Sequence, residues 1–392
     1  MTYERFLNPD IVAVPPSGIR RFFDLASTMK DAISLGVGEP DFVTPYHIRN
    51  AAIDSILDGE TQYTPNRGLL SLRQEISWYL ENRYQTVYNP ETEIVVTVGA
   101  SESIDIALRA LIAPGDEVLV PEPSYVSYSP SVIFAGGRPV GVVTDAGNGF
   151  RLTPEAVRAA ITPRTKALIL PYPNNPTGGI MPREELEALA QVIREKQIMV
   201  ISDEIYSELT YGGLRHVSFA SLPGMWDYTL TINGFSKAFA MTGWRVGYLC
   251  GPAEVVSVIN KIHQYAILCA PRQGQVAALA ALREGRENGY AEVLRMRESY
   301  DRRRRLMVEG FRSMGLDCFE PLGAFYVFPS IARTGLTSEE FCERLLNEER
   351  VACVPGTAFG ACGEGHIRCS YATAVDKLNL ALEKMEKFMR RL

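Results

Sequence analysis

The amino-acid sequence predicts an α/β protein built around a large, doubly wound and mostly parallel sheet. Between about residues 50 and 285, helical stretches such as LLSLRQEISWYLENRY alternate with short apolar runs that are rich in β-branched residues. Continuously apolar runs are typical of strands that are buried on both faces of a parallel sheet. Connections of helical length separate most of these runs, as parallel strands require.

Five strands are predicted in this region. They are Ile94 to Val98, Val118 to Val120, Ala167 to Leu170, Ile198 to Ser202, and Leu230 to Ile232. After about residue 285 a long charged helix, YAEVLRMRESYDRRRRLMVEGFRSMG, precedes the strand-like segment Ala324 to Phe328 and an amphipathic helix that ends KFMRRL. These later elements predict a second, smaller α/β domain.

Three parts of the chain are therefore expected, since 392 residues are enough for two or three packed units. Residues 1–45 are predicted to form an N-terminal arm and a segment of the small domain, residues 46–285 the large domain, and residues 286–392 the small C-terminal domain. Pro15, Pro16 and Gly18 interrupt the arm, so we expect it to pack on another part of the protein.

Composition excludes several classes of partner. A formal net charge of −6 gives no general attraction to nucleic acid or to an anionic membrane, and neither is expected as a partner.

The N-terminus lacks the apolar core of a signal peptide, and no apolar stretch approaches membrane-spanning length, so we expect a cytoplasmic protein. Seven cysteines without C-x-x-C spacing predict buried free thiols, and four histidines without ligand spacing predict no metal site.

Candidate site residues follow the predicted strands, because ligands of an open parallel sheet bind beyond the carboxyl ends of its strands. Gly99, Ala100 and Ser101 follow the first strand and precede an apolar-periodic helix. The free backbone N–H groups of such a turn suit a phosphate. By itself, capping of the helix by Ser101 is the more ordinary interpretation.

The other four strands also end in residues with useful chemistry. Tyr125 follows the second strand, Asn175 lies in a rigid turn after the third, and Asp203 lies at the tip of the fourth. The fifth strand is followed by Lys237 and, eight residues later, by Arg245. Each residue has an ordinary structural role when taken alone. Five successive strand ends that present such groups to one crevice indicate a functional site.

Five segments carry a resemblance to a known family: VGASES, PEPSYVSY, PNNPTG, SDEIY and NGFSKAFAMTGWRVGY. They resemble the fold-type-I aminotransferases of class I/II, in particular the subgroup with many prokaryotic aspartate and aromatic aminotransferases. The resemblance covers nearly the whole chain, from LGVGEPDF through YTPNRG to HIRCSYA. It implies the fold of pyridoxal-phosphate-dependent transferases, with residues 46–285 as the cofactor-binding domain. It also implies a ping-pong transfer of an amino group between an L-amino acid and a 2-oxo acid.

The resemblance assigns roles around the ring of pyridoxal 5'-phosphate. Lys237 would hold the cofactor as a Schiff base and move a proton between the substrate and the cofactor, which requires a neutral amine. Asp203 would keep the ring nitrogen protonated. Asn175 and Tyr206 would donate hydrogen bonds to the phenolic oxygen, and Tyr125 would stack on the ring. Lys237, Asp203 and Tyr206 are thus the expected catalytic residues.

The remaining expected contacts concern the cofactor phosphate and the neighbouring subunit. The phosphate donors would be Gly99, Ala100, Ser101, Ser236 and Arg245, with Arg245 supplying the compensating charge. A further residue, Tyr63 of the YTPNRG segment, would come from a second subunit. The resemblance therefore implies a homodimer with active sites at the interface.

For the substrate, the resemblance implies that Arg368 binds the α-carboxylate, helped by Asn175 and the backbone at Gly38. One departure concerns the distal end of the substrate. Some bacterial aspartate aminotransferases carry a lysine where this chain has Ser101. A distal acid would then need Arg20 of the arm or a residue of a partner chain. Aspartate, aromatic amino acids, alanine and diaminopimelate-type substrates all remain possible.

Two alternative functions stay open from sequence. A carbon–sulfur β-lyase of the same fold would use the same lysine, aspartate and arginine. A non-catalytic cofactor-sensing module, as in regulators with a DNA-binding head, is less favoured because no basic winged-helix segment is present. The run from Arg302 to Arg305 is interpreted as the solvent-facing side of the long helix. A nicotinamide-dependent dehydrogenase is disfavoured because no G-x-G-x-x-G follows the first strand.

Overall fold

The computed structural model of the chain describes residues 3–16, 18–19, 29 and 31–392. Within these residues the strands are Ile33–Ser34 (β1), Ile94–Thr97 (β2), Glu117–Glu122 (β3), Arg138–Val143 (β4), Thr165–Leu170 (β5), Met199–Asp203 (β6), Thr229–Gly234 (β7), Gly247–Cys250 (β8), Tyr326–Val327 (β9), Val351–Ala352 (β10), Val354–Pro355 (β11) and Ile367–Ser370 (β12).

The α-helices of the same residues connect and cover these strands. They are Pro9–Val12 (α1), Tyr46–Leu57 (α2), Leu70–Tyr84 (α3), Ala100–Leu111 (α4), Tyr128–Phe134 (α5), Pro154–Ala160 (α6), Arg183–Lys196 (α7), Ala253–Ala266 (α8), Arg272–Asn288 (α9), Ala291–Ser313 (α10), Ser338–Glu349 (α11) and Val375–Met389 (α12). None of the helices in the described part of the chain is long and apolar enough to cross a membrane.

The central sheet has the strand order β2-β8-β7-β6-β5-β3-β4. Strand β8 runs antiparallel to both of its neighbours, and the other neighbouring pairs are parallel. Successive residues of a strand point to opposite faces, so Val118 and Val120 pack with α4 and α8 while Leu119 packs with α7. Helices on both faces explain why the strands are apolar throughout.

All five predicted strands of this sheet are confirmed, with ends that differ from the prediction by at most two residues. Two strands, β4 and β8, were not predicted. Strand β4 is an edge strand with a largely exposed or half-buried surface, and it contains Pro139 and Gly141. Both residue types weaken the sequence signal of a strand, and an edge strand has no need for a continuous apolar run.

A smaller group of strands lies outside the central sheet. Strands β11, β12 and β9 form an antiparallel sheet in that order, and β1 pairs in parallel with β10. Ile33 and Leu35 share one buried cluster with aromatic residues of the C-terminal region such as Phe341 and Phe388. The segment after the arm therefore packs with the C-terminal residues, while the division of the chain at residues 45 and 285 remains a prediction.

The predicted long charged helix is α10, but the expectation that Arg302 to Arg305 face solvent is wrong for two of the four residues. Arg303 and Arg304 are buried, whereas Arg302 and Arg305 are exposed. Each helical residue is rotated by about 100° from the one before it, so four consecutive residues cannot share one face. Arg303 pairs with Asp41 at 2.7 Å, and Arg304 pairs with carboxylates near its own helix.

All seven cysteines lie in the described part of the chain and are free, and five of them are buried. Free thiols were expected from their spacing. Among the described residues, no group of three or more histidine, cysteine, aspartate and glutamate side chains could hold a metal ion.

Candidate active site

A cleft of about 1500 Å³ lies beyond the carboxyl ends of the parallel strands. Most of the predicted site residues line it: Gly38, Ala100, Ser101, Tyr125, Asn175, Asp203, Tyr206, Ser236, Lys237, Arg245 and Arg368. They come from segments that are as far apart in sequence as residues 38 and 368, and the fold brings them to one place. The described part of the arm also contributes to the wall of the cleft, through Asp10, Ala13, Val14, Pro15, Pro16, Gly18 and Ile19.

Lys237 lies in the loop that follows β7. Its Nζ donates a hydrogen bond of 2.6 Å to the carbonyl oxygen of Gly38. Burial lowers the pKa of this amine to about 8, and the nearby Glu39 carboxylate acts in the opposite direction. A lysine with this pKa is partly neutral near pH 7, as a nucleophilic amine or a proton acceptor must be.

Asp203 ends β6 and is buried at the floor of the cleft. One carboxylate oxygen accepts a 2.7 Å hydrogen bond from the hydroxyl of Tyr128, and the other accepts a 3.2 Å bond from the Ile205 N–H. Burial raises the pKa of the Asp203 carboxyl to about 6, and the two hydrogen bonds act in the opposite direction without cancelling this rise. A cationic ligand atom beside this carboxylate would favour its ionised form.

The N-terminus of α4 also lines the cleft. Gly99 is the N-cap residue at φ +76°, so the helix is not capped by Ser101, which lies in its first turn and is exposed. A Cβ atom at Gly99 would collide with the Arg245 guanidinium, and one at Gly247 would collide with the backbone of Ala100. Two glycines thus let an arginine and strand β8 approach backbone N–H groups that are suited to an anion.

Arg368 lies on β12 and is 1% exposed. Its guanidinium donates a 3.0 Å hydrogen bond to Oδ1 of Asn175 and a second bond to the carbonyl oxygen of Gly36. Its Nε has no hydrogen-bond partner within the described residues. Burial lowers the pKa of this guanidinium, although arginine remains charged at neutral pH. A buried cation with an unused N–H is suited to a carboxylate ligand.

Tyr206 and Tyr125 complete the predicted set inside the cleft. The Tyr206 hydroxyl lies 2.8 Å from the Tyr326 hydroxyl, and both rings are buried. Tyr125 meets the ring of Tyr128 edge-on at 5.6 Å. Burial raises the pKa of Tyr206 well above its usual value, so this phenol keeps its proton.

One predicted residue, Tyr63, lies apart from the cleft of this chain. The side chain of Tyr63 is 80% exposed and lies away from the cleft wall. This position is compatible with a contact to a second subunit. Arg20, a candidate for binding a distal acid, lies outside the described residues.

Sequence reasoning missed two side chains that contact the predicted site. Tyr128, the first residue of α5, follows Tyr125 by three residues, and its N–H bonds the Tyr125 carbonyl in a turn that brings the two side chains together. That signal was available in the sequence. Tyr326 lies within the apolar segment GAFYVF, and nothing in its sequence context distinguishes it from a packing residue.

Comparison with known proteins identifies the family. The sequence profile described as aminotransferase class I and II matches residues 30–385. The chain belongs to this aminotransferase family. The aminotransferase is 47% identical to the aspartate aminotransferase of Pyrococcus abyssi, a match that covers 96% of each chain. It is 44% identical to aromatic-amino-acid aminotransferase 2 of Thermococcus litoralis, with 98% of each chain covered.

Solved structures agree with this assignment. The aromatic aminotransferase from Pyrococcus horikoshii superposes on the chain with a TM-score of 0.90 at 45% identity, covering 94% of this chain and 99% of that one. The aspartate aminotransferase of Thermus thermophilus with maleate superposes with a TM-score of 0.93 at 41% identity, covering 97% and 99%. The fold class inferred from the sequence and the expected aminotransferase activity are confirmed.

Aminotransferases of this family use pyridoxal 5'-phosphate. The cleft fits that cofactor on three observations. A lysine of lowered pKa can react with an aldehyde, and a buried carboxylate with neutral donors can accept a cationic ring nitrogen. Gly99 leaves room for an arginine at a helix N-terminus, where a phosphate would be bound.

Proposed function

We propose that this aminotransferase moves an amino group from an L-amino acid to a 2-oxo acid in two half-reactions, with Lys237 as the covalent attachment point and proton carrier. The observation that supports this proposal most directly is the convergence of the Lys237 amine, the Asp203 carboxylate and the Arg368 guanidinium on one cleft. When bound, pyridoxal 5'-phosphate withdraws electron density from the α-carbon of an amino acid and thereby weakens its C–H bond.

Proton transfer is assigned to the Lys237 amine. In its neutral form, Nζ accepts the proton of the substrate α-carbon, and the pKa of about 8 keeps part of the amine neutral near pH 7. The Lys237 amine bonds the Gly38 carbonyl and the Arg368 guanidinium bonds the Gly36 carbonyl, so one short segment of backbone holds both groups. A base and a carboxylate-binding group on one wall can present the α-C–H bond to the amine.

The ring-binding roles follow from burial and hydrogen bonding. Asp203 would accept an N–H bond from the ring nitrogen, and the hydroxyl of Tyr128 fixes the orientation of this carboxylate. Tyr206 and Asn175 would donate to the phenolic oxygen. Tyr125 would cover one face of the ring, since its own ring lies on the cleft wall.

Two separate groups of residues would bind the cofactor phosphate and the substrate carboxylate. The N–H groups of Ala100 and Ser101, the hydroxyl of Ser236 and the guanidinium of Arg245 would bind the phosphate, with Gly99 allowing their close approach. Arg368 would bind the substrate α-carboxylate, assisted by the amide of Asn175 and the backbone at Gly38. The two charged ligand groups are thereby held apart by two different arginines.

The amino donor is proposed to be one of the substrates considered from sequence: aspartate, an aromatic amino acid, alanine or a diaminopimelate-type compound. The names of the relatives support this range, since they include aspartate, aromatic and N-acetyl-LL-diaminopimelate aminotransferases. The absorbance spectrum of the purified enzyme should change when a suitable donor is added without any 2-oxo acid. Testing a panel of single amino acids in this way identifies the donor class directly.

The β-lyase alternative is separated by its products. A lyase would release pyruvate and a thiol from cystathionine while its absorbance band persisted, whereas an aminotransferase converts the cofactor to its amine form. If no donor converts the band and pyruvate appears, transamination as the main activity is rejected. The sensing-module alternative is set aside because the chain is an enzyme of the aminotransferase family.

The proposed assembly is a homodimer in which Tyr63 reaches the neighbouring active site. The exposure of Tyr63 supports it, as does the cluster of exposed apolar residues on the adjacent helix α2, including Tyr46, Ile53 and Leu57. A cytoplasmic location is likewise a proposal, which cell fractionation can test.

A further inference from the structure

Tyr326 contacts three groups of the proposed site, although no step described above uses it. Its hydroxyl lies 2.8 Å from the hydroxyl of Tyr206. The guanidinium carbon of Arg368 lies 4.6 Å from the centre of its ring. A Cβ atom added to Gly38 would collide with its hydroxyl, so the ring also lies directly against the backbone whose carbonyl accepts the Lys237 hydrogen bond.

The register of the small sheet explains how one side chain reaches both Arg368 and Tyr206. Strands β9 and β12 are antiparallel, and Tyr326 lies opposite Ser370. Residues 368 and 370 share a face of β12, because side chains alternate along a strand. Tyr326 is therefore a diagonal neighbour of Arg368 on the same face, a separation that an aromatic ring can span.

The protonation of the two phenols limits what their hydrogen bond can do. Burial raises the pKa of both Tyr206 and Tyr326, so each hydroxyl carries one proton. If Tyr206 donated to Tyr326, it would have no proton left for a ligand. If Tyr326 donates instead, the proton of Tyr206 is free to point into the cleft. A donated bond also makes the receiving hydroxyl a stronger donor.

We propose that Tyr326 is a positioning residue with two separable functions. Its ring fixes the plane of the Arg368 guanidinium for the substrate carboxylate, and its hydroxyl donates to Tyr206, so that Tyr206 donates to the phenolic oxygen of the cofactor. The proposal rests on the proposed function of Arg368 and Tyr206. It adds a residue of β9 that orients both groups without contacting the reacting atoms.

Two substitutions separate the two functions. Tyr326→Phe removes only the hydroxyl, so the ring still supports Arg368. Tyr206 then becomes a weaker donor, the phenolic oxygen of the cofactor retains more negative charge, and a proton on the nearby lysine–cofactor linkage is held more tightly. Tyr326→Leu removes the ring as well. Tyr371→Phe is the matched control, because this buried phenol of the same cluster bonds the Ala324 carbonyl and does not line the cleft.

Two readouts are measured on the cofactor-loaded protein without turnover. The first is the pKa of the lysine–cofactor linkage, from absorbance against pH. The second is the Kd of 3-phenylpropionate, a carboxylate that lacks an amino group and cannot react. Tyr326→Phe should raise the linkage pKa. It should change the Kd of 3-phenylpropionate by less than about twofold, a factor that corresponds to the weakest neutral hydrogen bonds. Tyr326→Leu should also raise Kd about tenfold, since a buried cation–aromatic contact is lost. Tyr371→Phe should change neither.

The positioning role is wrong if Tyr326→Phe leaves the linkage pKa unchanged, or if Tyr326→Leu leaves Kd unchanged. A failure of the proposed function gives a different result. The absorbance band of the lysine–cofactor linkage would then be missing from the wild-type protein, or it would persist when Lys237 is replaced. Thermal melting of each variant shows that it is folded. A Tyr326→Leu variant that does not fold leaves the hydroxyl function decided by Tyr326→Phe, whose ring fills the same space.

Discussion

Burial shifts the two central titratable groups of the cleft in opposite directions. It lowers the pKa of Lys237 to about 8 and raises the pKa of Asp203 to about 6. The cause is the same for both groups, since removal from water disfavours whichever form is charged. Both groups are consequently brought nearer to neutral pH, where proton transfer and cofactor binding take place.

The lowered pKa of Lys237 predicts a pH dependence for cofactor capture by the apo-protein. With a pKa of about 8, about a tenth of the amine is neutral at pH 7, compared with less than about one part in 2000 for an ordinary lysine. The second-order rate of pyridoxal phosphate attachment should rise with pH and level off above about pH 8. Stopped-flow absorbance measures it, with N-acetyl-lysine amide as the control. A rate that still rises from pH 9 to 10 contradicts the lowered pKa.

Arg368→Lys keeps the positive charge and removes the planar fork of donors. Because lysine cannot make two parallel bonds to a carboxylate, kcat/KM for the amino donor should fall about 10- to 150-fold, which corresponds to about 1.5–3 kcal/mol for one charged hydrogen bond. Steady-state kinetics with a saturating 2-oxo acid measures this loss. A variant with full kcat/KM would show that Arg368 does not bind the carboxylate.

Tyr128→Phe removes the hydroxyl that donates to Asp203 at 2.7 Å. The ionised carboxylate loses a donor, so the pKa of Asp203 rises further and its attraction for a cationic ring nitrogen weakens. The Kd of the apo-protein for the cofactor should increase about 10- to 150-fold. Equilibrium dialysis measures it, with Tyr88→Phe as the control, since that buried hydroxyl bonds Thr231 away from the cleft. Equal affinities in the two variants would contradict the role of Tyr128.

At the scale of elements, helix α10 holds the loop that carries Gly38. Arg303 of α10 pairs with Asp41 at 2.7 Å, and its guanidinium also lies 5.3 Å from the ring centre of Phe42. These contacts explain why Arg303 of the charged run is buried. It also links a distant helix to the backbone that accepts the Lys237 hydrogen bond.

Asp41→Ala leaves the buried guanidinium of Arg303 without its carboxylate. The free energy of unfolding should fall by about 1.5–3 kcal/mol, as expected for a charged hydrogen bond with a buried partner. Urea denaturation measures this change. Arg302→Ala is the matched control on the exposed side of the same run, and it should stay within about 0.5 kcal/mol of wild type. Equal stability of the two variants would argue against the Arg303–Asp41 pair.

At the scale of the whole molecule, the cleft of one chain contains every predicted cofactor-ring and substrate residue, while Tyr63 lies apart from it. The side chain of Tyr63 is 80% exposed in the single chain, so its surface is accessible to another molecule. If the protein is a homodimer with shared sites, each active site combines residues of two chains.

This arrangement predicts complementation between two impaired variants. In a hybrid of Lys237→Ala and Tyr63→Ala chains, one site combines an intact Lys237 with an intact Tyr63 of the other chain. Random pairing of equal amounts should restore about a quarter of wild-type activity, because half of the dimers are hybrids and one of their two sites is intact. Mixing Lys237→Ala with Arg368→Ala is the control, since both residues line one chain's cleft. Absence of complementation in verified hybrids contradicts the shared site.

Much of the fold could be predicted because the parallel strands are buried on both faces and therefore leave continuous apolar runs in the sequence. Strand β4 could not be predicted, because an edge strand does not need a continuous run of apolar residues. Arg303 and Arg304 were assigned to solvent because charge alone does not show which side of a helix meets a carboxylate. Among the site residues, Tyr128 carried a usable spacing signal, whereas Tyr326 did not.

The sequence by itself determined the fold class and the five strand ends that carry the candidate site residues. It also determined the motifs, with Lys237, Asp203 and Arg368 among their residues, by which the chain resembles one family of enzymes. Only the tertiary structure decided which groups touch: that Tyr128 bonds Asp203, that Tyr326 lies between Arg368 and Tyr206, and that Gly38 accepts from Lys237. The physical reason is that periodicity and turn chemistry are local properties of the chain. Burial, hydrogen-bond partners and the pKa shifts that they cause depend on residues that are distant in sequence.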